Sequence, residues 1–332
     1  MATVLITGAA GFIGYSLSEV LLARGDHVVG VDNVNPYYDP KLKEARIERA
    51  SRHEHFRFER CDIANAEALK RVFDSCDVDA VVNLAAQAGV RYSLTHPEAY
   101  MEANIIGFLN VLEMCRHREI GHLVFASSSS VYGANEKSPF SVKDSVDHPV
   151  SLYAATKKSN ELMAHSYAHL FGVPCTGLRF FTVYGPWGRP DMALFLFSDA
   201  ILAGKPIQVF NHGNMSRDFT YIDDIVNGIV RVLDQPPTAG GRPDHPGTSH
   251  APFRVFNIGN GNPVRLLRMV ELLEEALGAK AERILMPMQP GDVESTHADV
   301  TAISAAVGYE PTTPFEVGVR RFADWYRSYT QR

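Results

Sequence analysis

The chain has 332 residues, enough for two domains, or one large domain with an appendage, at about 150 residues per domain. Its 45% hydrophobic and 21% charged residues are those of a globular protein, and a formal charge of −6 offers no positive field for nucleic acid or an anionic membrane. Cys61, Cys76, Cys115 and Cys175 form no CxxC pair, so neither a disulfide framework nor a metal site is expected.

Thr3–Thr7 (TVLIT) is a short β-branched apolar run, as expected of a strand buried on both faces. No apolar run approaches the ~20 residues that a membrane-spanning helix needs, and strand-turn-helix chemistry begins at once where a leader would stand. A cytoplasmic enzyme is the expectation. Phe12–Ala23 reads as a helix closed by Gly25, and His27–Val31 as a second strand completing a βαβ unit. Ala80–Leu84, His122–Ala126 and Thr176–Phe180 continue as strands, with helices near Ala66–Phe73, Tyr100–His117 and Tyr153–Phe171. The alternation predicts an α/β fold, a Rossmann-type doubly wound parallel sheet. After Gly185 the rhythm breaks into short strands and helices, predicting a smaller mixed C-terminal substrate domain. The division expected is residues 1–184 for a dinucleotide and residues 185–332 mainly for substrate, with Arg254–Ile258 returning to the first sheet. The stretch Gln235–Pro252, rich in proline and glycine, reads as a surface loop.

Gly8, Gly11 and Gly14 follow the first strand at GxxGxxG spacing and open the first helix. Glycine permits the tight turn and lets a pyrophosphate approach the positive helix N-terminus. Asp32 ends the second strand, where its carboxylate can accept from both adenosine ribose hydroxyls and repel a 2′-phosphate. No basic residue adjoins it in Asn33-Val34-Asn35, so NAD is expected over NADP. Asp62 and the strand end Asn83-Leu84-Ala85-Ala86 stand where a bound adenosine would be lined; Asp62 serves equally as a helix N-cap for Ile63 onward.

Tyr153 and Lys157 are four apart, on one face of a helix. A phenol titrates near 10 and is a weak base at neutral pH, but an ammonium nearby lowers that value. Tyr153 then becomes a general acid/base for a substrate hydroxyl, with Lys157 also able to hold a nicotinamide ribose. Ser127–Ser130 end the strand His122–Ala126, at an edge where such sheets bind ligands. A serine hydroxyl there can share the proton of the same substrate oxygen; taken alone, the four serines also read as a solvated turn.

These residues resemble the extended short-chain dehydrogenase/reductase superfamily, specifically its nucleotide-sugar epimerases. The resemblance is carried by TGAAGFIG (Thr7–Gly14), NLAAQAGVRYS (Asn83–Ser93), ASSSSVYG (Ala126–Gly133), YAATK (Tyr153–Lys157), RFFTVYGPWGRPDMA (Arg179–Ala193), RDFTYIDDIV (Arg217–Val226) and PGDV (Pro290–Val293). Asp32–Arg46 and Leu152–Leu170 narrow it to UDP-glucuronate 4-epimerases. The resemblance implies that NAD stays bound while Tyr153 takes the C4 hydroxyl proton and the sugar passes through a 4-keto form, interconverting UDP-glucuronate and UDP-galacturonate. It adds Phe12, Ile13, Asn33, Asn35, Lys43 and Ile63 to the cofactor site, and Gln87 to the substrate site. Ser128 matches the serine that assists in galactose epimerases, and Ser130 the threonine/serine position of uronate epimerases.

A 4-keto uronate is a β-keto acid, so its carboxylate has to be held against loss of carbon dioxide. Thr182 and Arg189 are the residues implied for carboxylate or pyrophosphate. Arg91, Arg217 and Asp292 are implied for the nucleotide, where arginine forks suit diphosphate oxygens, and residues Gln208–Phe210 for uracil. Gln289 stands where galactose epimerases carry an arginine. Competing readings are a UDP-galactose 4-epimerase, a UDP-glucuronate decarboxylase and a dinucleotide-sensing module without catalysis. A 4,6-dehydratase lacks its acidic pair in Ser128-Ser129-Ser130-Val131. A homodimer through Tyr100–His117 and Tyr153–Phe171 is expected from the resemblance.

Overall fold

In the computed structural model, which describes residues 1–289 and 291–331, strand β1 (Thr3–Thr7) sends Val4 and Ile6 to one apolar cluster and Leu5 to another. Period-two alternation with both faces buried is what a sheet covered by helices on two sides requires. Helix α1 (Phe12–Arg24) ends at Gly25 in the left-handed region, which turns the chain into β2 (His27–Asp32). Then follow α2 (Pro40–Ala50), β3 (Phe56–Arg60), α3 (Ala66–Asp74) and β4 (Ala80–Asn83). The predicted helix Tyr100–His117 is three pieces: α4 (Pro97–Tyr100), a π-helical turn Met101–Ile106, and α5 (Gly107–His117). After it come β5 (His122–Ser128), α6 (Leu152–Phe171) and β6 (Cys175–Phe180).

The C-terminal part continues with β7 (Thr182–Tyr184), α7 (Ala193–Leu202), β8 (Ile207–Val209), β9 (Ser216–Arg217), β10 (Phe219–Tyr221) and α8 (Ile222–Leu233). Strand β11 (Phe253–Ile258) returns to pair in parallel with β6, as its apolar run predicts. The chain closes with β12 (Val264–Arg265), α9 (Leu266–Leu277), β13 (Arg283–Leu285), α10 (Thr301–Val307) and α11 (Phe315–Thr330).

Seven parallel strands stand in the order β11-β6-β5-β4-β1-β2-β3. The order reverses between β1 and β4, so the helices that follow them leave to opposite faces and open a crevice at the strand C-termini. One face packs under α3, α5 and α6; the other meets α1, α8 and the C-terminal helices. Three two-stranded pairs, β10–β7, β12–β9 and β13–β8, build the shelf beyond that crevice. No helix among the described residues is long and apolar enough to cross a membrane.

Candidate active site

The crevice is floored by the loop between β1 and α1. Gly8 has φ +72°, and a Cβ there would lie 2.7 Å from the Ala85 nitrogen; a Cβ on Gly14 would lie 2.2 Å from the Gly8 oxygen. Only glycine lets the backbone fold so tightly beside β4. Gly11 caps α1 without any side-chain bond, so the N–H groups around Phe12 and Ile13 are left for an anion. Thr7 donates to Asn83 Oδ1 at 2.7 Å and accepts from Ala85 N at 3.1 Å, which lays Leu84, Ala85 and Ala86 alongside this loop.

Asp32 is buried at the end of β2. Its two oxygens accept from Ala10 N at 3.1 Å and Val34 N at 2.7 Å. Along the sequence no basic residue adjoins it, but α2 returns Lys43 to 4.0 Å from its carboxylate. Lys43 is spoken for: Nζ donates to Asn35 O at 3.1 Å and Asn35 Oδ1 at 2.8 Å, and burial pushes its ammonium down. Asp62 accepts from Asn33 Nδ2 and Ala64 N, both at 2.8 Å. It does not cap a helix from Ile63 as the sequence allowed; α3 starts at Ala66, capped by Asn65.

Helix α6 carries the predicted pair, Tyr153 and Lys157. Ser151 caps it by accepting from Ala154 N at 3.1 Å, fixing the turn that holds Tyr153. Lys157 is 2% exposed and donates to Ala126 O of β5 at 2.9 Å. Burial pushes its pKa down to about 8. Burial also pushes the Tyr153 phenol above its ordinary value, while a hydrogen bond with Ser128 and the charge of Arg189 pull it back. The sequence reading gave that lowering to Lys157; here Lys157 is committed to a carbonyl, and the neighbours that oppose burial are Ser128 and Arg189. The serines are also not one turn. Ser127 and Ser128 complete β5, and Ser128 Oγ accepts from Ser130 N at 3.1 Å at the start of a 3-10 turn.

Ser130 faces elsewhere. With Ser129, Thr182, Arg217 and Asp292 it lines a cavity of about 150 Å³. Arg91 pairs with Asp292 at 3.0 Å and lies 5.2 Å from the Phe210 ring. Arg217 donates to Ser216 O and Glu294 O at 2.8 and 3.1 Å, and burial lowers its pKa. Gln289 O accepts from Asp292 N at 3.2 Å. Gln208, on β8, is exposed, and Pro290 of the PGDV motif lies outside the described residues. Gln87 is buried, its backbone exchanging hydrogen bonds with Asn104 of the π-helical turn.

Local spacing missed four residues. Arg189 forms a two-pronged pair with Asp191, Nε to Oδ1 at 3.0 Å and Nη2 to Oδ2 at 2.5 Å. The Tyr37 hydroxyl donates to the same Asp191 at 3.2 Å. Arg46, fully buried, donates to Ala10 O and Tyr38 at 2.8 Å, and to Trp187 O and Gly188 O at 2.6 and 3.2 Å. Asn104 joins Gln87 to Thr156 of α6. The signals in the sequence were the segments Asp32–Arg46, which contains Tyr37 and Arg46, and Arg179–Ala193, which contains Asp191.

A glycine-floored crevice with Tyr153, Lys157 and Ser128 at its side has the form of a dinucleotide-dependent enzyme site. The profile of the NAD dependent epimerase/dehydratase family matches residues 4–259, and the chain belongs to this family. It is 52% identical over 334 residues to Protein CapI of Staphylococcus aureus, covering 99% of each chain. It is 50% identical to a probable UDP-glucuronate 4-epimerase of Rhizobium meliloti, covering 97% of this chain and 96% of the other. Among solved structures it resembles the UDP-glucuronic acid 4-epimerase of Bacillus cereus in complex with UDP-glucuronic acid and NAD. That match has a TM-score of 0.87 at 34% identity over 98% of this chain and 99% of the other.

Proposed function

We propose that the chain is an NAD-dependent UDP-glucuronate 4-epimerase, interconverting UDP-glucuronate and UDP-galacturonate. The observation that carries this reading is Arg189, fixed by Asp191 beside the aromatic wall Tyr37–Tyr92–Tyr100–Tyr153, in a chain about half identical to a probable UDP-glucuronate 4-epimerase. The glycine cradle, which any Cβ would fill, and the buried Asp32 fit NAD. Gly8, Gly11, Phe12, Ile13, Gly14, Asp32, Asn33, Asn35, Lys43, Asp62, Ile63, Leu84, Ala85 and Ala86 would hold it, with Tyr153 and Lys157 at its reactive end. When bound, NAD supplies a reversible hydride acceptor for the sugar C4.

On this reading Tyr153 accepts the C4 hydroxyl proton and returns it to the same oxygen once the planar 4-keto sugar has turned to present its other face. Ser128, at the end of β5 beside Tyr153, hands that proton across, while Ser130 contacts substrate in the cavity. Arg189 and Thr182 hold the C6 carboxylate so that the C5–C6 bond stays out of line with the ketone. Arg91, Arg217 and Asp292 receive the diphosphate and uridine ribose, with Phe210 and Gln208 at the base and Gln87 beside the sugar. Residues 1–184 serve the cofactor and 185–332 mainly the UDP-sugar. A homodimer is supported by exposed Met101, Ile106 and Leu109 beside exposed Leu162 and Leu170 of α6.

The test is to incubate the purified protein with UDP-glucuronate, without added NAD and again with it, and follow products by NMR. UDP-galacturonate with the carboxylate retained is the expected result; a 4-keto pentose or UDP-xylose would replace epimerase by decarboxylase. Tyr153→Phe is expected to lower turnover by about 10²–10⁴-fold with UDP-sugar still bound. Ser128→Ala should cost more in kcat than in KM, and Ser130→Ala the reverse. Light scattering on the same samples is expected to give twice the chain mass.

A further inference from the structure

Arg189 does not lie open in its loop. Asp191 takes its Nε–Nη2 edge at 3.0 and 2.5 Å. Tyr37, from a different part of the chain and with its ring centre 5.0 Å from that of Tyr92, donates its hydroxyl to the same carboxylate at 3.2 Å. A guanidinium has five N–H donors in a planar fork, and a carboxylate gripping one edge fixes the plane of the rest. The pair stands beside the aromatic wall that ends in the reacting group: Tyr92 neighbours Tyr100, and Tyr100 lies 6.0 Å from Tyr153. Arg189 and Tyr153 are close enough to influence each other's charge.

We propose that Asp191, braced by Tyr37, is a specificity-determining positioning residue: it orients the Arg189 fork so that its remaining donors receive the C6 carboxylate of the sugar. This rests on the reading of Arg189 given above. A free guanidinium on a flexible stem would accept the carboxylate in many orientations, including those in which the C5–C6 bond lines up with the C4 ketone. In those, the C5–C6 bond breaks, its electron pair moves into the C4 carbonyl, carbon dioxide leaves and a proton adds at C5. Asp191 narrows the orientations; its own negative charge also disfavours any carboxylate that approaches from its side of the fork.

The experiment compares Asp191→Asn, Tyr37→Phe and Arg189→Ala, each measured for kcat/KM on UDP-glucuronate, the inhibition constant of UDP, and the fraction of decarboxylated product by NMR. Asp191→Asn is expected to lower kcat/KM by 10–100-fold and to raise the decarboxylated fraction, with UDP inhibition within threefold of the parent. Tyr37→Phe, which removes one hydroxyl, should move both readouts the same way by a smaller factor, about 2–5-fold. If Asp191→Asn changes kcat/KM and UDP inhibition equally, its role is only structural and the proposal fails. If Arg189→Ala is impaired while Asp191→Asn is not, the proposal alone fails. If Arg189→Ala behaves as the parent, the reading of Arg189 itself falls.

Discussion

Lys157 is a charged group kept where charge is costly. Burial lowers its pKa from an ordinary 10.5 to about 8, so the unfolded chain holds a proton between those values that the folded chain releases. The destabilisation is therefore complete below about pH 8 and fades as pH rises through 10.5. At neutral pH it amounts to about 3 kcal/mol, of which the bond to Ala126 O returns roughly 1–2 kcal/mol. Lys157→Met is expected to raise Tm at pH 7 while abolishing turnover, and the gain should shrink by pH 10; calorimetry at both pH values checks it. A lower Tm at pH 7 would mean that the stranded Ala126 carbonyl outweighs the buried charge. At this scale, spacing along one helix made Tyr153 and Lys157 legible, because four residues is one turn. Asp191 with Tyr37, and Arg46 with Trp187, are joined across more than a hundred residues, where no local period exists to betray them.

The element that organises the centre is α6, and it is bolted to the sheet by charge. Glu161, two turns below Tyr153, grips Arg179 of β6 at 2.8 and 2.9 Å and accepts from Ser127 at 2.7 Å. Arg179 and Asn257 of β11 both bond Tyr132, so one buried network ties α6, β5, β6, β11 and the serine turn. Burial alone would raise the Glu161 carboxyl, but Arg179 holds it below the usual range. Glu161→Gln leaves a buried guanidinium without its counter-charge and is expected to cost about 3–5 kcal/mol in urea unfolding. A loss under 1 kcal/mol would show that water reaches Arg179. The sequence revealed α6 as the helical stretch Tyr153–Phe171 between two strands. It hid the π-helical turn at Met101–Ile106, because no proline or glycine interrupts that stretch. Strand β3 was also passed over: as the outer strand of the sheet it alternates Phe with Arg and Glu, and so lacks a buried apolar run.

Across the whole molecule, the parallel direction of the sheet followed from strands recurring between helical stretches, since parallel strands need crossovers. The short pairs of the C-terminal part did not, because two or three residues carry no period. At the far end of the sheet His122 is buried, bonded to Leu233 O at 3.1 Å and Thr176 Oγ1 at 2.9 Å. Burial lowers its pKa from 6.5 to about 4. Its contribution to stability is therefore whole above pH 6.5 and lost as pH falls toward 4, about 3 kcal/mol in all. His122→Gln is expected to flatten the stability curve between pH 6.5 and 4; an unchanged slope in denaturant titrations would remove His122 from the acid response.

Arg46 spans the two halves, with one nitrogen on the carbonyl beside the glycine loop and another on the carbonyls just before Arg189. None of these partners is a carboxylate. Opening the crevice at this point would take the Trp187 and Gly188 carbonyls from a buried cation and leave it Ala10 O and Tyr38 alone. Such a latch makes opening there costly, because a buried donor loses its partners. A dinucleotide seated on the glycine loop would have those bonds to break on its way out.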